Sequence, residues 1–500
     1  MAKTSIVSLV TFFQLIFTLI NSCSARNGAT AKFYDVTKYG AVGNGKADNS
    51  KQFLRAWEDA CQWNGNSVMV IPKGIYMLNP VKFTGPCRGF IAVRINGDLK
   101  ASTDISVESW ITFKYVDRLL VDGGGTIDGQ GAAVWSRANC IHNHRVCRPL
   151  PISMGFYFVT NSKIKNLNMI NSKGVHLKLY RCQKVVIREI KITAPENSPN
   201  TDGISIAVSQ DIKVRHCNIA CGDDCINMLT GNKNVEIFNV ACGPGHGISV
   251  GSLGHSLGES TEVTGLHVKN CSLRGTTNGL RIKTWAPSGP GLVSNFLYED
   301  IHMQNADNPI IIDQQYCPSG DCNNQAQSSI QVKNVTFRNI WGQSSTPVAV
   351  KFQCSKKVPC YDFKLQNINL AYNGREGILK SQCMNVHGQF YGQQQPRGGE
   401  ANVVSSGTGE GVLSVSSELV WGDVGEDWFN AVAEGWGPGS AVWDDLDTSN
   451  NLMLPSNCSF GNVQNQESHN SDPQDNIFST HSSPSYPKGV YSIWDFKGFL

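Results

Sequence analysis

Asp202, Asp224 and His246 fall at two equal intervals of 22 residues, each just ahead of a short alternating run: Gly-Ile-Ser-Ile, Cys-Ile-Asn-Met and Gly-Ile-Ser-Val. If the chain coils once per interval, these ionisable side chains stack on one face. Stacked strands lie about 4.8 Å apart, close enough for residues in equivalent slots to share a substrate and to shift one another's pKa. Asp223 adds a third carboxylate beside Asp224. Glycoside hydrolysis asks for such a set, with one carboxylic acid to protonate the leaving oxygen and another carboxylate to activate water or attack the sugar. Repulsion within the cluster raises at least one pKa and keeps a proton available. One coil further on, Arg281 and Lys283 project from the same side of a strand, where they can pair with a carboxylate on the substrate. Together these residues suggest an acidic sugar polymer.

Each residue also has a plain structural reading. An Asp at such a turn is commonly a turn residue, and paired Asp residues can hold calcium. A histidine between two glycines suits a packed turn, and Arg281 and Lys283 taken alone read as solvated charges. The shared slots on consecutive coils favour chemistry. In the same alignment Ser205, Asn227, Ser249 and Arg281 face outward, while the Ile or Leu two places after each slot faces in.

The elements that must position these residues repeat. Ile187-Arg-Glu-Ile190, Val214-Arg-His-Cys217, Ile237-Phe-Asn-Val240, Val268-Lys-Asn-Cys271, Tyr298-Glu-Asp-Ile301, Phe337-Arg-Asn-Ile340 and Leu365-Gln-Asn-Ile368 follow at steps of 27, 23, 31, 30, 39 and 28 residues. Period-two alternation within units and steps of this size between them predict a solenoid. A second series accompanies the first, at Gly174-Val-His-Leu, Gly279-Leu-Arg-Ile, Pro309-Ile-Ile-Ile and Pro347-Val-Ala-Val besides the three runs above. Two or three strands per turn with no helical pattern between them describe an all-β parallel β-helix. Its open front needs a cap, and Asp48 to Cys61 predicts a short helix with Phe53, Trp57, Ala60 and Cys61 on one face and Asp48, Asn49 or Ser50 at its N-cap.

Residues 1–25, with Lys3, an apolar stretch from Ile6 to Ile20 and small residues at 22–25, have the layout of a cleaved secretory signal. The 16 cysteines beyond Cys23 are then expected to pair, Cys317 with Cys322 and Cys354 with Cys360 closing small loops. No CxxC pair recurs with His at zinc-ligand spacing. Asn270-Cys-Ser and Asn334-Val-Thr are glycosylation sequons. The net charge of +3 hides a split: residues 391–500 hold 14 Asp+Glu against 3 Lys+Arg, a net of −11, leaving +14 on residues 1–390. The basic body favours an anionic partner and the acidic end opposes it. From about Tyr391 the alternation fails, and residues 391–500 are expected to form a poorly ordered extension to a β-helix domain of residues 26–390.

The chain resembles the plant polygalacturonase family of pectin-degrading glycoside hydrolases. The resemblance rests on Asn200-Thr-Asp-Gly203, Gly222-Asp-Asp-Cys225, Gly245-His-Gly247 and Arg281-Ile-Lys283 in that order, and extends from Phe33 to about Gly388. It implies a right-handed parallel β-helix and inverting hydrolysis of α-1,4 bonds between galacturonic acid units in demethylated pectin. By motif match Asp223 would be the proton donor, Asp202 and Asp224 would activate water, and His246 would support the acid. Arg281, Lys283 and Tyr316, with Asn200, would contact substrate. No metal or organic cofactor is implied. The implied partner is pectin or polygalacturonate, with no nucleic acid and no membrane after signal cleavage, and the expected protein is a monomer secreted to the plant cell wall. The chain departs from the family after Gly388, where members finish with a cysteine that would pair near Cys383. Cys458 is the candidate for that partner. A calcium-dependent pectate lyase and an inactive pectin-binding wall protein are the rival readings.

Overall fold

Alternating Ile, Val and Leu along short strands cannot bury their apolar face alone, and here each coil buries that face against the next. The computed structural model describes residues 31–137, 149–255, 261–318, 322–323 and 325–396. The strands form one 19-stranded and one 11-stranded sheet. Pairing between successive coils is parallel throughout both, as in Ile204↔Ile226, Ile226↔Ile248 and Ile248↔Leu280. The architecture is a right-handed parallel β-helix, as expected.

The first predicted series lies in the larger sheet, within strands such as Gln183–Thr193, Thr261–Arg274, Pro290–Ala306 and Ser329–Ser344. The recurring asparagines bend those strands. Asn234, Asn334, Asn339 and Asn367 stand at φ between 51° and 54°, a left-handed setting that Asn tolerates better than most residues. Their amides form ladders, Asn334 to Asn295 at 2.7 Å, Asn339 to Asp300 at 3.0 Å and Asn367 to Asn339 at 3.1 Å. The second series forms the smaller sheet, one strand per coil from Val81–Thr84 to Lys380–Met384. Inside, like stacks on like: Ile204, Ile226, Ile248, Leu280 and Ile310 make a fully buried column, and Phe113 meets Phe83 tilted and Phe156 stacked, each at 5.2 Å.

The capping helix spans Ser50–Cys61 and buries Phe53, Ala56, Trp57, Ala60 and Cys61. Asn49 occupies the N-cap position without a side-chain cap bond, and the Asp48 carboxylate takes the Ser50 amide instead, at 3.0 Å. The helix is pinned by the Cys61–Cys87 disulfide and by Trp57 Nε1 donating to Thr84 O at 3.2 Å.

Cysteine pairing is less complete than the even count suggests. Cys317–Cys322 and Cys354–Cys360 pair as expected, with Cys225–Cys242 besides, but Cys182, Cys217, Cys221 and Cys271 are buried thiols. They serve as small apolar fillers between coils, and burial pushes the Cys182 and Cys217 thiols up to about 11. The last strand, Val386–Gln395, runs past residue 390. The expected signal segment, Cys458 and residues 397–500 of the extension lie outside the described residues. Among the described residues no helix is long and apolar enough to cross a membrane.

Candidate active site

The smaller sheet brings the sequence-predicted residues together. Its register pairs Ile204, Ile226 and Ile248 across three consecutive coils, so the residues two places earlier, Asp202, Asp224 and His246, occupy one slot. On the outward row Ser205 pairs with Asn227, Asn227 with Ser249 and Ser249 with Arg281, while Lys283 sits one outward place along from Arg281. Two glycines let the coils close around these residues. A Cβ on Gly222, just before Asp223, would lie 2.0 Å from Ser198 O, and one on Gly247, at φ 86°, would lie 2.1 Å from Asn278 O.

Asp224 is wholly buried at the centre. Its Oδ1 accepts from Ser249 Oγ at 2.6 Å and Arg281 Nη2 at 2.6 Å, and its Oδ2 accepts from Lys283 Nζ at 2.9 Å. Burial pushes this carboxyl up, but Lys283, Arg281 and the Ser249 hydroxyl outweigh it and hold the group at about 2. Arg281 Nε also donates to Ser249 Oγ at 3.0 Å, which fixes the guanidinium plane. Arg281 and Lys283 therefore sit on Asp224 rather than standing free on the strand.

Asp202 has the opposite setting. It is 7% exposed, and its Oδ2 accepts from Asn227 Nδ2 at 3.0 Å. Burial first, then the neighbouring Asp223 and Asp224 charges, push its carboxyl well above the usual carboxylate range. Behind it the fully buried His176 places Nδ1 3.1 Å from Asp202 O. Burial takes that imidazole down to about 4, so it is a neutral support.

Asp223 lies nearer the surface. Its Oδ1 meets His246 Nδ1 at 3.0 Å and the Asp224 amide at 2.8 Å, and its Oδ2 accepts from Asn200 Nδ2 at 3.3 Å. His246 thus aims its ring at Asp223, although it shares its slot with Asp224. Tyr316 pairs in register with Trp285, their rings 5.3 Å apart, and Lys283 Nζ lies 5.3 Å from the Tyr316 ring.

Sequence reasoning missed His176, and it missed Trp285, whose ring also meets His255 at 4.8 Å. Trp285 had a signal: it follows Arg281 and Lys283 at period two and so shares their face. Asp313, which pairs in register with Lys283 and whose carboxyl burial pushes up, was also missed.

Asp223, Asp224 and His246 offer ligand atoms within 4.8 Å of one another, which tests the calcium alternative. Calcium takes 6–8 oxygens, mostly from carboxylates and carbonyls. Here both Asp224 oxygens are engaged by Arg281 and Lys283, and their positive charges oppose a divalent ion. The donor set fits proton chemistry better than a calcium cage.

A family model described as glycosyl hydrolases family 28 matches residues 61–395. The chain belongs to that family. It is 41% identical over 364 residues to an exopolygalacturonase of Zea mays, covering 72% of this chain and 88% of the relative. It is 40% identical over 398 residues to a polygalacturonase of Nicotiana tabacum, covering 79% and 99%. Among solved structures, the fold is similar to an endo-xylogalacturonan hydrolase of Aspergillus tubingensis, with TM-score 0.64 and 22% identity over 72% of this chain and 99% of that one. It is also similar to a polygalacturonase of Erwinia carotovora, with TM-score 0.56 and 22% identity over 72% and 97%. As a family 28 member the protein is a glycoside hydrolase, and its carboxylate cluster falls inside the matched segment.

Proposed function

We propose that the protein hydrolyses α-1,4 bonds between galacturonate units of demethylated pectin, acting as a secreted monomer in the plant cell wall. The observation that carries this reading is the pairing of unlike carboxylates in one groove: Asp224 held ionised by Arg281 and Lys283, beside Asp223 in contact with His246. The relatives named polygalacturonase and exopolygalacturonase support the substrate class.

In this mechanism Asp223 gives its proton to the glycosidic oxygen as the bond to the anomeric carbon breaks. The water that attacks that carbon passes its proton to the Asp202–Asp224 pair, which shares negative charge across adjacent coils. His246 holds Asp223 in place and returns its proton between turnovers. Arg281 and Lys283 balance the charge of Asp224 and bind the galacturonate carboxylate, with Tyr316 and Asn200 at the edge of the same subsite. Attack from the face opposite the leaving group inverts the anomeric centre.

The purified protein is expected to release reducing ends from polygalacturonate in the presence of a calcium chelator, with no rise in ultraviolet absorbance. An absorbance rise that the chelator abolishes identifies a lyase. Retention on polygalacturonate without any product identifies an inactive wall-binding protein.

A further inference from the structure

At the far edge of the smaller sheet four consecutive coils turn through a residue in the left-handed region, Tyr115, Phe158, Arg181 and then the apolar Val208. Backbone bonds link these corners, Tyr115 N to Tyr157 O at 3.0 Å, Phe158 N to Tyr180 O at 3.0 Å and Arg181 N to Ala207 O at 3.1 Å. Tyr115, Phe158 and Arg181 stand at φ 58°, 56° and 53°. A side chain other than Gly, Asn or Asp in that region costs about 1–2 kcal/mol, and the larger sheet repeatedly uses Asn at its left-handed positions. The larger sheet also holds Lys184, Glu189 and His216 in that region, but among the described residues only at this edge do aromatic rings occupy two consecutive corners.

What the strain retains is a surface. The rings of Tyr115 and Phe158 lie 4.9 Å apart, and those of Phe158 and Tyr180 lie 6.2 Å apart. Lys114 Nζ stands 4.8 Å from the Tyr115 ring, and the Arg181 guanidinium 5.6 Å from both the Phe158 and Tyr180 rings. Tyr115 is 47% exposed and Arg181 is exposed. The acidic groups nearby are engaged elsewhere: Glu108 by Tyr157 and Lys178, and Asp117 by Thr160, Asn161 and Arg118. Among the described residues no carboxylate lies within ion-pair distance of Lys114 or Arg181.

Rings interleaved with cations that pair with no described carboxylate suit a polymer that alternates apolar sugar faces with carboxylates. We propose that Tyr115, Phe158, Tyr180, Lys114 and Arg181 form a binding strip for an anionic polysaccharide, holding a segment of galacturonan one to three coils away from the carboxylates. This rests on the polygalacturonate reading. The coil spacing places the strip about 5–15 Å along the axis from the Asp202 coil.

The test is the double variant Tyr115→Asn/Arg181→Asn, because Asn suits the left-handed corner and keeps the fold. The expected result is a KM for long polygalacturonate raised about tenfold, corresponding to about 1.4 kcal/mol of binding. The kcat on that polymer and the turnover of trigalacturonate stay unchanged, and retention in a polygalacturonate-containing gel falls. A folded variant with unchanged KM and retention, or one that loses equally on trimer and polymer, overturns the strip. Retention is read without catalysis, so if the native protein cuts nothing but binds the gel in an Arg181-dependent way, the strip stands and the polygalacturonase reading fails.

Discussion

At the scale of single residues, the site divides its labour through environment rather than residue type, since all three acidic groups are aspartates. Asp223→Asn keeps the hydrogen-bonding shape but removes the transferable proton. The variant is expected to stay folded and to lose at least about a thousandfold in rate, read as reducing-end release. Asp224 and Asp202 should show opposite pH linkage. The Asp224 carboxyl is lowered from 3.8 to about 2, so its contribution to stability is present above about pH 3.8 and lost as pH falls through about 2. Replacing it with Asn at neutral pH leaves Arg281 and Lys283 buried without their anion, with an expected loss of about 3–5 kcal/mol in urea unfolding. Asp202 is raised in the fold, so its favourable contribution is complete below its ordinary value of 3.8 and is lost as pH rises through the folded value. Asp202→Asn removes that loss. The variant should melt higher than the native protein at pH 7, with the gap closing toward pH 4, while its hydrolytic rate falls.

At the scale of elements, stability comes from columns and ladders that repeat from coil to coil. Ile226 sits in the middle of the buried Ile column, and Ile226→Ala is expected to cost about 2–5 kcal/mol in denaturant unfolding. Asn339, at φ 51°, donates to Asp300 and accepts from Asn367. Changing it to Gly removes the ladder bonds but keeps the left-handed corner, whereas changing it to Ala removes both. The Ala variant should be less stable than the Gly variant by about 1 kcal/mol, measured as a difference in unfolding midpoint. This scale also shows what a sequence reveals. Alternation and the 22-residue interval located the strands and the shared slot of Asp202, Asp224 and His246, because burial on one face enforces period two, while the helical spacing of Phe53, Trp57, Ala60 and Cys61 located the capping helix. Side-chain direction was less legible. That His246 reaches Asp223, and that Arg281 and Lys283 converge on Asp224, depends on contacts between coils that spacing does not encode. The four buried thiols were hidden for a related reason: a packed cysteine and a paired one look alike in sequence.

At the scale of the whole molecule, long-range charge and coil geometry work together. Residues 1–390 carry a net charge of +14 and residues 391–500 one of −11, so the basic body draws a polyanion through solvent while the acidic end opposes it. Raising ionic strength from low to about 0.15 M shortens the reach of that field to about 8 Å. The KM for long polygalacturonate is therefore expected to rise with salt while kcat changes little, checked by initial rates across a salt series. Trigalacturonate should respond less, because it spans fewer charged coils.

The spacing of the smaller sheet carries one more consequence, for how such a protein can be altered by inheritance or design. Across the acidic turns the pairing advances by 22 residues each time, then by 32 from Ile248 to Leu280, 30 from Leu280 to Ile310 and 40 from Ile310 to Val350. Much of the additional length lies between the strands of that sheet, in the longer larger-sheet strands Thr261–Arg274 and Ser329–Ser344 among others. Insertions and deletions in the loops between strands reshape the rim of the molecule and leave its chemistry intact, whereas one residue gained or lost inside Ile226–Met228 swaps inward and outward side chains and undoes the reacting centre at a stroke.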